Sequence, residues 1–438
     1  MLSTLPAITR ALPTVVGDDL TVPLVDGRRV RYVDLDAAAS TPPLRSVADH
    51  VADVLPYYGS VHRGAGHTSR VCTALLERAR TDVARFVGAR PDDALVLTRH
   101  TTDALGLLAS AVPGPVVTLD LEHHATLLPW RAHRVVRARR TVAETLDALR
   151  GELAARPAAL VAITGASNVT GEILPVADVV ALAHAAGARV CVDAAQLAPH
   201  RRVDLAGWGA DYLALSAHKL YAPYGAGVLV GRRDWLDAAP PHLAGGGAVR
   251  SVALDGDRCE TAWLPAPQRH EGGTPNLLGA VALAAACRAL DPVLDDTIPA
   301  HEAELAGLLH DGLATVPGLT TLSAFADAPD RTATVSFTLP DLPAGLVAAA
   351  LSAEHGIGVR DGKFCAHPLV DRLTGGSGAV RTSLGLRTTA DDVERLVGAL
   401  SDLARRGPTW TYALTDGRWT PRPDPRPLDV VEPPTSAA

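Results

Sequence analysis

Between residues 45 and 290, short apolar segments that indicate buried strands alternate with helical patterns. The strand-like segments are 94–98, 116–119, 189–193 and 211–216. A helical pattern at 176–186 ends at Gly187, a residue typical of helix termini. Strands that alternate with helices favour a largely parallel sheet with helices on its faces. The sequence therefore predicts an α/β fold for this part of the chain.

Changes in pattern divide the chain into four parts. Residues 1–30 form an N-terminal segment, and 31–290 form the large α/β domain. From 291 to 407, helical patterns flank two strand-like regions, 332–339 and 357–360, which indicates a smaller α+β domain. Residues 408–438 are rich in Pro, Arg, Asp and Thr and lack periodicity, so we expect a tail that is partly disordered towards its end.

Composition is that of an ordinary globular protein, with 47% hydrophobic and 20% charged residues among 438. A net charge of −7 argues against nucleic acid as a partner. The longest apolar stretch, 277–287, is much shorter than a membrane span, and residues 1–16 show no clear cleavage site. Five cysteines argue against a disulfide scaffold, so we expect a cytoplasmic protein with Cys191 and Cys287 buried.

A lysine follows one of the apolar strands. Lys219 lies in a His-Lys pair between the strand at 211–216 and a turn rich in Gly, Pro and Tyr. Burying an ammonium group costs several kcal/mol, so most lysines lie on solvated surfaces. Covalent use removes this cost, because a lysine of lowered pKa can form a Schiff base with an aldehyde such as pyridoxal phosphate (PLP).

A second strand ends on a carboxylate. Asp193 closes the segment 189–193, and Gln196 follows three residues later. Because ligands gather beyond the carboxyl ends of strands, Asp193 and Lys219 are expected to share one crevice. Asp193 has the charge needed beside the pyridinium nitrogen of PLP, and Gln196 has a side chain able to bond the ring hydroxyl. The alternatives are a helix cap for Asp193 and an ordinary turn residue for Gln196.

Two further strand ends carry polar residues. Thr101 and Thr102 open a helix after the strand 94–98, where free N–H groups and the helix dipole favour a phosphate, although threonines are also common caps. His123 and His124 follow the strand 116–119, where an imidazole could stack on a pyridine ring and relay protons. Adjacent histidines on an extended segment point in opposite directions and no second ligand set accompanies them, so no metal is predicted.

Six short motifs follow one another along the chain in a characteristic order. They are Thr101-Thr102, Glu122-His123-His124, Ser167-Asn168, Asp193-Ala194-Ala195-Gln196, Ser216-Ala217-His218-Lys219 and Gly273-Thr274-Pro275-Asn276. Over residues 32–403 this series resembles the class V aminotransferase family of PLP enzymes, within it the Suf-type (group II) cysteine desulfurases and selenocysteine lyases. The resemblance implies the PLP-dependent transferase fold type I, with a mostly parallel seven-stranded sheet in the large domain and a smaller α+β C-terminal domain.

The resemblance also implies roles for individual residues. Lys219 would bind the PLP aldehyde, Asp193 the ring nitrogen, Gln196 the ring oxygen, and His123 would stack on the ring. The phosphate is assigned to Thr101, Thr102, Ser216 and His218, while Asn168 lies beside the substrate and the ring oxygen. Thr274 completes the phosphate site of a neighbouring subunit, which implies a homodimer.

Two arginines and a loop are candidates for substrate binding. A planar guanidinium grips a carboxylate through two parallel hydrogen bonds, and the resemblance puts this clamp at Arg381, with Arg360 near it. Either arginine could instead be a surface charge. The loop 57–67 packs ionisable side chains among glycines, and the resemblance places it, with His62, near the substrate entrance. A solvated connection is the alternative for this loop.

The last candidate is Cys365, in a loop with a glycine, cations and a nearby imidazole that favour a thiolate. The matching position in the desulfurases carries the nucleophile that takes sulfur from cysteine as a persulfide, leaving alanine, and a protein that accepts this sulfur is a potential partner. The desulfurase loop typically reads Gly-His-His-Cys, whereas this chain has Lys363-Phe364 before the cysteine, and His100 replaces a usual glycine. The alternative is transamination, C–S elimination or epimerisation of another amino acid without Cys365.

Overall fold

The computed structural model of the protein describes residues 10–429. The strands in chain order are β1 (Thr21–Pro23), β2 (Arg29–Arg31), β3 (Val33–Asp34), β4 (Ala94–Thr98), β5 (Val116–Leu119), β6 (His133–Val136), β7 (Leu160–Thr164), β8 (Arg189–Asp193), β9 (Tyr212–Ser216), β10 (Gly227–Gly231), β11 (Val249–Asp255), β12 (Arg258–Trp263), β13 (Thr320–Thr321), β14 (Thr334–Thr338), β15 (Ile357–Gly358), β16 (Arg360–Gly362), β17 (Ala379–Ser383), β18 (Tyr412–Thr415) and β19 (Arg418–Pro421).

The α-helices are α1 (Arg45–Val54), α2 (His67–Phe86), α3 (Thr101–Ala111), α4 (His124–Leu127), α5 (Val142–Ala155), α6 (Val176–Ala185), α7 (Arg233–Ala238), α8 (Leu277–Leu290), α9 (Thr297–Ala314), α10 (Ala344–His355), α11 (His367–Thr374) and α12 (Ala390–Arg406). Short 3-10 helices cover Leu55–Tyr57, Ala217–Lys219, Gln268–His270 and Asp291–Val293.

The central sheet has seven strands in the order β4-β10-β9-β8-β7-β5-β6. Neighbouring strands pair in parallel except at β10, which is antiparallel to both β4 and β9. The strands β7, β9 and β10 are buried along their whole length, because helices cover both faces of the sheet. The predicted α/β fold with a mostly parallel seven-stranded sheet is confirmed.

This topology brings several strand ends to one edge of the sheet. All strands of the sheet except β10 run in the same direction, so their carboxyl ends lie together. Thr101 follows β4, Asp193 ends β8, and Lys219 closes the 3-10 turn after β9. Ligands bind beyond this edge in open α/β sheets, so the topology positions the candidate residues for one site.

The second domain is built on a four-stranded antiparallel sheet in the order β13-β14-β17-β16. Apolar side chains of this sheet and of α9, α10 and α12 form a core of their own. The short strand β15 pairs in parallel with β3, with Ile357 opposite Val33. Residues just after the N-terminal segment thus pack with the second domain, while the predicted boundaries after 30, 290 and 407 stay predictions.

A β-hairpin follows Gly407, where the sequence shows no periodicity. Its strands β18 and β19 pair with each other, and the Glu354 carboxylate accepts hydrogen bonds from the Thr409 N–H and the Tyr412 hydroxyl, both at 2.9 Å. Both strands are mostly exposed or half-buried, so no alternation of buried positions marks them in the sequence. The end of the predicted tail, 430–438, lies outside the described residues, as do residues 1–9.

Two other expectations concern burial. Cys191 and Cys287 are buried, as predicted. Within residues 10–429, no single helix has both the length and the apolar character of a membrane span. The consecutive helical segments Leu277–Val293 and Thr297–Ala314 meet both criteria only when counted together, and they are bent by 77°.

Glu172 joins the two domains through its buried carboxylate, which is 1% exposed. It accepts hydrogen bonds from the Thr170 hydroxyl at 2.6 Å in the large domain, and from the Ser323 hydroxyl at 2.7 Å and the Phe325 N–H at 3.0 Å in the second. Arg331 adds an ion pair at 2.9 Å. The charge is therefore held by donors from both sides of the domain junction.

We predict that Glu172→Ala lowers the free energy of unfolding by about 2 to 5 kcal/mol, because buried donors lose their acceptor. Urea denaturation followed by circular dichroism measures this change. Glu304→Ala, at an exposed site on α9, serves as the control and is expected to stay within about 0.5 kcal/mol of wild type. Equal losses in the two variants would contradict a bridging role for Glu172.

Candidate active site

A cavity of about 270 Å³ opens beyond the carboxyl ends of the central strands. It lies between the large domain and the loop that carries Cys365 from the second domain. Its lining residues are Ala38, Ala39, His100, Thr101, Thr102, His123, Ala125, Thr164, Asn168, Asp193, Ala195, Gln196, Ser216, His218, Lys219, Arg360, Phe364, Cys365 and Arg381. The structure thus gathers nearly all predicted site residues from widely separated parts of the sequence.

Lys219 contributes an amine of lowered basicity to this cavity. It ends the 3-10 turn after β9 and keeps part of its surface open to the cavity. Burial lowers the pKa of Lys219 to about 8, while the negative charge of Asp193 opposes the shift and the nearby Arg381 adds to it. About a tenth of this amine is therefore unprotonated at pH 7, far more than for an ordinary lysine, and can act as a nucleophile or base.

Asp193 is held rigidly on the floor of the cavity, where it is 4% exposed. Its Oδ1 accepts a hydrogen bond from the Ala195 N–H at 3.0 Å, and its Oδ2 accepts one from the Thr126 hydroxyl at 2.7 Å. A carboxylate offers about four lone-pair sites, so these two bonds leave acceptor capacity for a ligand. The structure thereby gives Asp193 an anionic role in the cavity in addition to its local turn contact.

His123 has a fixed ring orientation. The Ala125 N–H donates to its Nδ1 at 3.0 Å, so the proton of the neutral ring lies on Nε2. Burial and the positive charge of Lys219 lower the pKa of His123 to about 4. The imidazole is therefore neutral at physiological pH and presents a planar face or an Nε2–H donor in the cavity.

Hydroxyl and imidazole groups line one end of the cavity at the start of α3. The Ser216 hydroxyl accepts a hydrogen bond from the Thr101 N–H at 2.8 Å and lies 2.7 Å from the Thr101 hydroxyl. His218 lies beside them, and burial together with Lys219 lowers its pKa to about 4. Hydroxyl donors at a helix N-terminus suit a phosphate group.

Strand β10 passes very close to the loop before α3 at this end of the cavity, where Gly227 meets His100. A Cβ at Gly227 of β10 would lie 2.7 Å from the His100 Cα, so only glycine allows the strand to approach the loop. The His100 Nδ1 accepts a hydrogen bond from the Asp103 N–H at 3.1 Å and caps α3. His100 therefore stands at the close contact between β10 and the start of α3, and its side chain caps that helix.

Arg381 is a buried cation with unused donor capacity. It is 3% exposed, pairs with Asp36 at 2.8 Å and donates to the Asn168 carbonyl at 2.9 Å. Its Nε has no hydrogen-bond partner among the described residues. Arg360 lies directly opposite on the neighbouring strand β16. A second anion, such as a substrate carboxylate, would satisfy both guanidinium groups.

Cys365 reaches the cavity on a strained loop. Phe364 and Cys365 both have left-handed backbone, with φ of 51° and 54°, which non-glycine residues rarely adopt. The Asn168 side-chain amide donates to the Phe364 carbonyl and the His124 N–H donates to the Cys365 carbonyl, both at 2.7 Å. The Cys365 residue itself is exposed. Contacts from the large domain thus hold a solvent-accessible thiol at the cavity.

The two residues that replace the histidines of the desulfurase loop take different places. Lys363 pairs with Asp371 of α11 at 2.7 Å and does not line the cavity. Phe364 is buried, and its ring lies 5.2 Å from the Arg381 guanidinium carbon. An aromatic face against a cation is favourable. Position 364, directly before Cys365, therefore packs an apolar ring against the arginine and supplies no polar side chain.

His62 and Thr274 are the predicted site residues that the structure does not bring to the Lys219 cavity of the same chain. They line a separate cavity of about 490 Å³ between the loop 60–63 and the loop 273–275. His62 also lies 2.8 Å from Glu77. The predicted action of Thr274 on a neighbouring subunit, and the predicted substrate contact of His62, both stay predictions.

Three residues that contribute to the site were not predicted from the sequence. Thr126 orients Asp193, Asp36 pairs with Arg381, and Glu122 lies buried behind the cavity. Glu122 stands within the motif Glu122-His123-His124, which is a weak signal, whereas Asp36 lies in none of the six motifs. Thr126 gives no signal, because a threonine in a short helix is ordinary.

Comparisons with known proteins agree with this geometry. The family profile described as aminotransferase class-V matches residues 33–396. The chain belongs to the class V aminotransferase family. The predicted resemblance is therefore confirmed at the level of the family.

Among class V relatives, a probable cysteine desulfurase 2 of Mycobacterium leprae is 36% identical over 85% of this chain and 91% of its own length. A cysteine desulfurase of Dickeya dadantii is 35% identical over 87% of this chain and 93% of its own. The apo structure of a cysteine desulfurase from Thermococcus onnurineus aligns with a TM-score of 0.79 at 30% identity, covering 90% of this chain and all of that one. The Escherichia coli cysteine desulfurase CsdA aligns at 0.73 and 32% identity, covering 84% and 94%.

Glu122 gives a test of the electrostatics behind the site. It is fully buried, its Oε2 accepts a hydrogen bond from the Thr164 N–H at 2.7 Å, and its Oε1 has no partner among the described residues. Burial, and then the charge of Asp193, raise the pKa of Glu122 well above its ordinary value. A carboxyl group whose pKa is raised by folding does not affect stability in acid, where it is neutral in both states. As the pH rises, the group ionises more readily in the unfolded state, so the free energy of unfolding falls.

We therefore predict that Glu122→Gln matches wild type at about pH 4, below the ordinary glutamate pKa, and unfolds at a progressively higher temperature than wild type as the pH rises towards about pH 9. Melting temperatures measured across this range test the prediction. Glu304→Gln, at an exposed position, is the control and is expected to follow wild type throughout. Parallel melting curves for Glu122→Gln and wild type would show that Glu122 is ionised in the folded protein.

Proposed function

We propose that the protein is a PLP-dependent cysteine desulfurase that removes sulfur from L-cysteine to give alanine. One observation carries the proposal: a single cavity holds an amine of lowered pKa, a fixed carboxylate, a buried arginine with an unused donor and an accessible thiol. The names of the relatives and of the solved structures support the same reaction.

The residues of the cavity fit PLP in both charge and chemistry. Its phosphate would lie at Thr101, Thr102, Ser216 and His218, at the start of α3, and its ring nitrogen would face Asp193. Gln196, whose amide donates to the Ala38 carbonyl at 2.7 Å, and Asn168 would lie beside the ring oxygen. When bound, PLP supplies an aldehyde for Lys219 and an electron-withdrawing ring.

The chain's own groups then perform defined tasks. Arg381 and Arg360 bind the substrate carboxylate and orient the bonds at its Cα. The Lys219 amine moves the Cα proton, and the neutral His123 ring would lie beside the cofactor with its Nε2–H available. The Cys365 thiolate attacks the substrate sulfur, so that a sulfur–sulfur bond forms while the bond from that sulfur to Cβ breaks. The electron pair of the broken bond stays on the organic product, which takes up a proton and leaves as alanine.

Two partners accompany this proposal. A second copy of the chain would supply Thr274 to the phosphate site and His62 to the entrance, which makes the protein a homodimer. A thiol, free or on an acceptor protein, would receive the sulfur from Cys365. The exposure of Cys365 supports access for such an acceptor.

An alternative reaction is favoured by the residues before the thiol. Because Lys363 turns to Asp371 and Phe364 is apolar, neither supplies the polar group found before the nucleophile in the desulfurase motif. Transamination, elimination or epimerisation of another amino acid needs Lys219, Asp193 and Arg381 but not Cys365. Products identified by mass spectrometry, with and without a keto-acid acceptor, distinguish these reactions from desulfuration.

We predict that Cys365→Ser lowers alanine formation from L-cysteine by about 100-fold or more, because a serine hydroxyl does not replace a thiolate nucleophile. Cofactor content is expected to be unchanged, since no cofactor contact is removed. Alanine and sulfide release in the presence of a reductant measures the effect. Cys259→Ser, at the other exposed cysteine of residues 10–429, is the control and is expected to retain activity. Full turnover by Cys365→Ser would favour the alternative reaction.

The lowered pKa of Lys219 leads to a second prediction. When protein freed of cofactor is mixed with PLP, the rate at which the yellow absorbance band forms is expected to rise with a midpoint near pH 8, because the free amine reacts. A midpoint near 10, the ordinary value for lysine, would contradict the assignment.

The sequence provides a clean control for this measurement, because it contains only two lysines, Lys219 and Lys363. Borohydride reduction is expected to label wild type and Lys363→Arg with one cofactor per chain and to leave Lys219→Arg unlabelled. Label at Lys363 would place the cofactor elsewhere and end the proposal.

A further inference from the structure

Thr126 makes a side-chain contact that is unusual for a helical threonine. In a helix the threonine hydroxyl commonly bonds a carbonyl of the preceding turn. The Thr126 hydroxyl instead donates to Asp193 Oδ2 at 2.7 Å, a residue 67 positions away. Thr126 is fully buried. Its hydroxyl is therefore committed to the carboxylate on the cavity floor.

The helix that carries Thr126 is itself fixed. The Trp130 indole N–H donates to the Thr126 carbonyl at 2.6 Å, and the His123 ring caps the helix through the Ala125 N–H. The position of the hydroxyl relative to β8 is thus set by the surrounding core. On the other carboxylate oxygen, the Ala195 N–H donates to Oδ1. The two donors together hold the plane of the Asp193 carboxylate.

We propose that Thr126 is a positioning residue that keeps Asp193 oriented and anionic where it faces the cofactor ring. The inference rests on the proposed function, in which Asp193 contacts the ring nitrogen. A hydrogen bond to the charged form of an acid favours that form, so the Thr126 hydroxyl strengthens the anion. Through Asp193, it maintains the positive charge on the ring that draws electrons from the substrate.

Other ionisable groups around Asp193 act in known directions. Lys219 from the turn after β9 is a cation that favours the anion, and His123 at the start of α4 is neutral near pH 7. Burial raises the pKa of the Glu122 carboxyl and of the Cys191 thiol, which favours the neutral form of each. Thr126 is thus the uncharged side-chain donor to Asp193, beside the backbone donor Ala195.

The experiment compares Thr126→Val, which keeps the shape but removes the donor, with Thr126→Ser, which keeps the donor. Valine is expected to lower kcat by about 10- to 100-fold, the usual effect of losing a hydrogen bond to a charged group, with little change in KM. A weaker Asp193 anion leaves the ring less positive, so the pH midpoint of the visible cofactor band is expected to move upward. Serine is expected to restore both the wild-type midpoint and kcat.

A matched control uses Thr145 of α5, which is also buried but bonds only backbone groups, the Thr141 carbonyl and the Arg139 N–H, both at 2.8 Å. Thr145→Val is expected to leave the midpoint unchanged, whatever it does to stability. If Thr126→Val does not fold, Thr126→Ala removes the same donor without added bulk and takes its place. An unshifted midpoint and unchanged kcat in the folded variant would overturn the inference. A wild-type protein without any cofactor band would instead refute the proposed function.

Discussion

A carboxylate and an amine meet at the ends of two paired strands, and the rest of the site is arranged around them. β8 and β9 lie side by side in parallel, with Asp193 opposite Ala214, and Lys219 follows β9 by one short turn. Neither charge is fully hydrated, which is unfavourable for folding unless each finds compensation. Asp193 finds it in two protein donors, whereas Lys219 loses part of its proton affinity. The burial that is unfavourable for folding thus also makes the lysine amine more reactive.

Much of this arrangement follows from local patterns. Apolar strands that alternate with helices predict the parallel sheet, and parallel strands place their ends together. For this reason Asp193 and Lys219 could be assigned to one crevice from the sequence alone. The start of a helix at Thr101 and the burial of Cys191 were also correctly predicted, because each depends on a pattern within a few residues.

Features that depend on distant parts of the chain could not be predicted in this way. The bond from Thr126 to Asp193, and the ion pair between Arg381 and Asp36, join residues whose sequence spacing carries no signal. Phe364 stands where the desulfurase motif has a histidine, and only the structure shows that its ring packs against the Arg381 guanidinium. The hairpin after Gly407 was not predicted, because its strands have little buried surface. The cavity that His62 lines could not be predicted either, because it depends on how separate loops fold together.

The loop of Cys365 belongs to the second domain, yet the large domain holds it. Asn168 and His124 bond its carbonyls, and Arg372 of the following helix donates to the Ala138 carbonyl at 2.6 Å. A hinge motion that separated the two domains would break these bonds together and release the left-handed backbone at Phe364 and Cys365. Opening the cleft and withdrawing the thiol would then be one event, so that the sulfur atom could approach the bound amino acid only while the enzyme is shut.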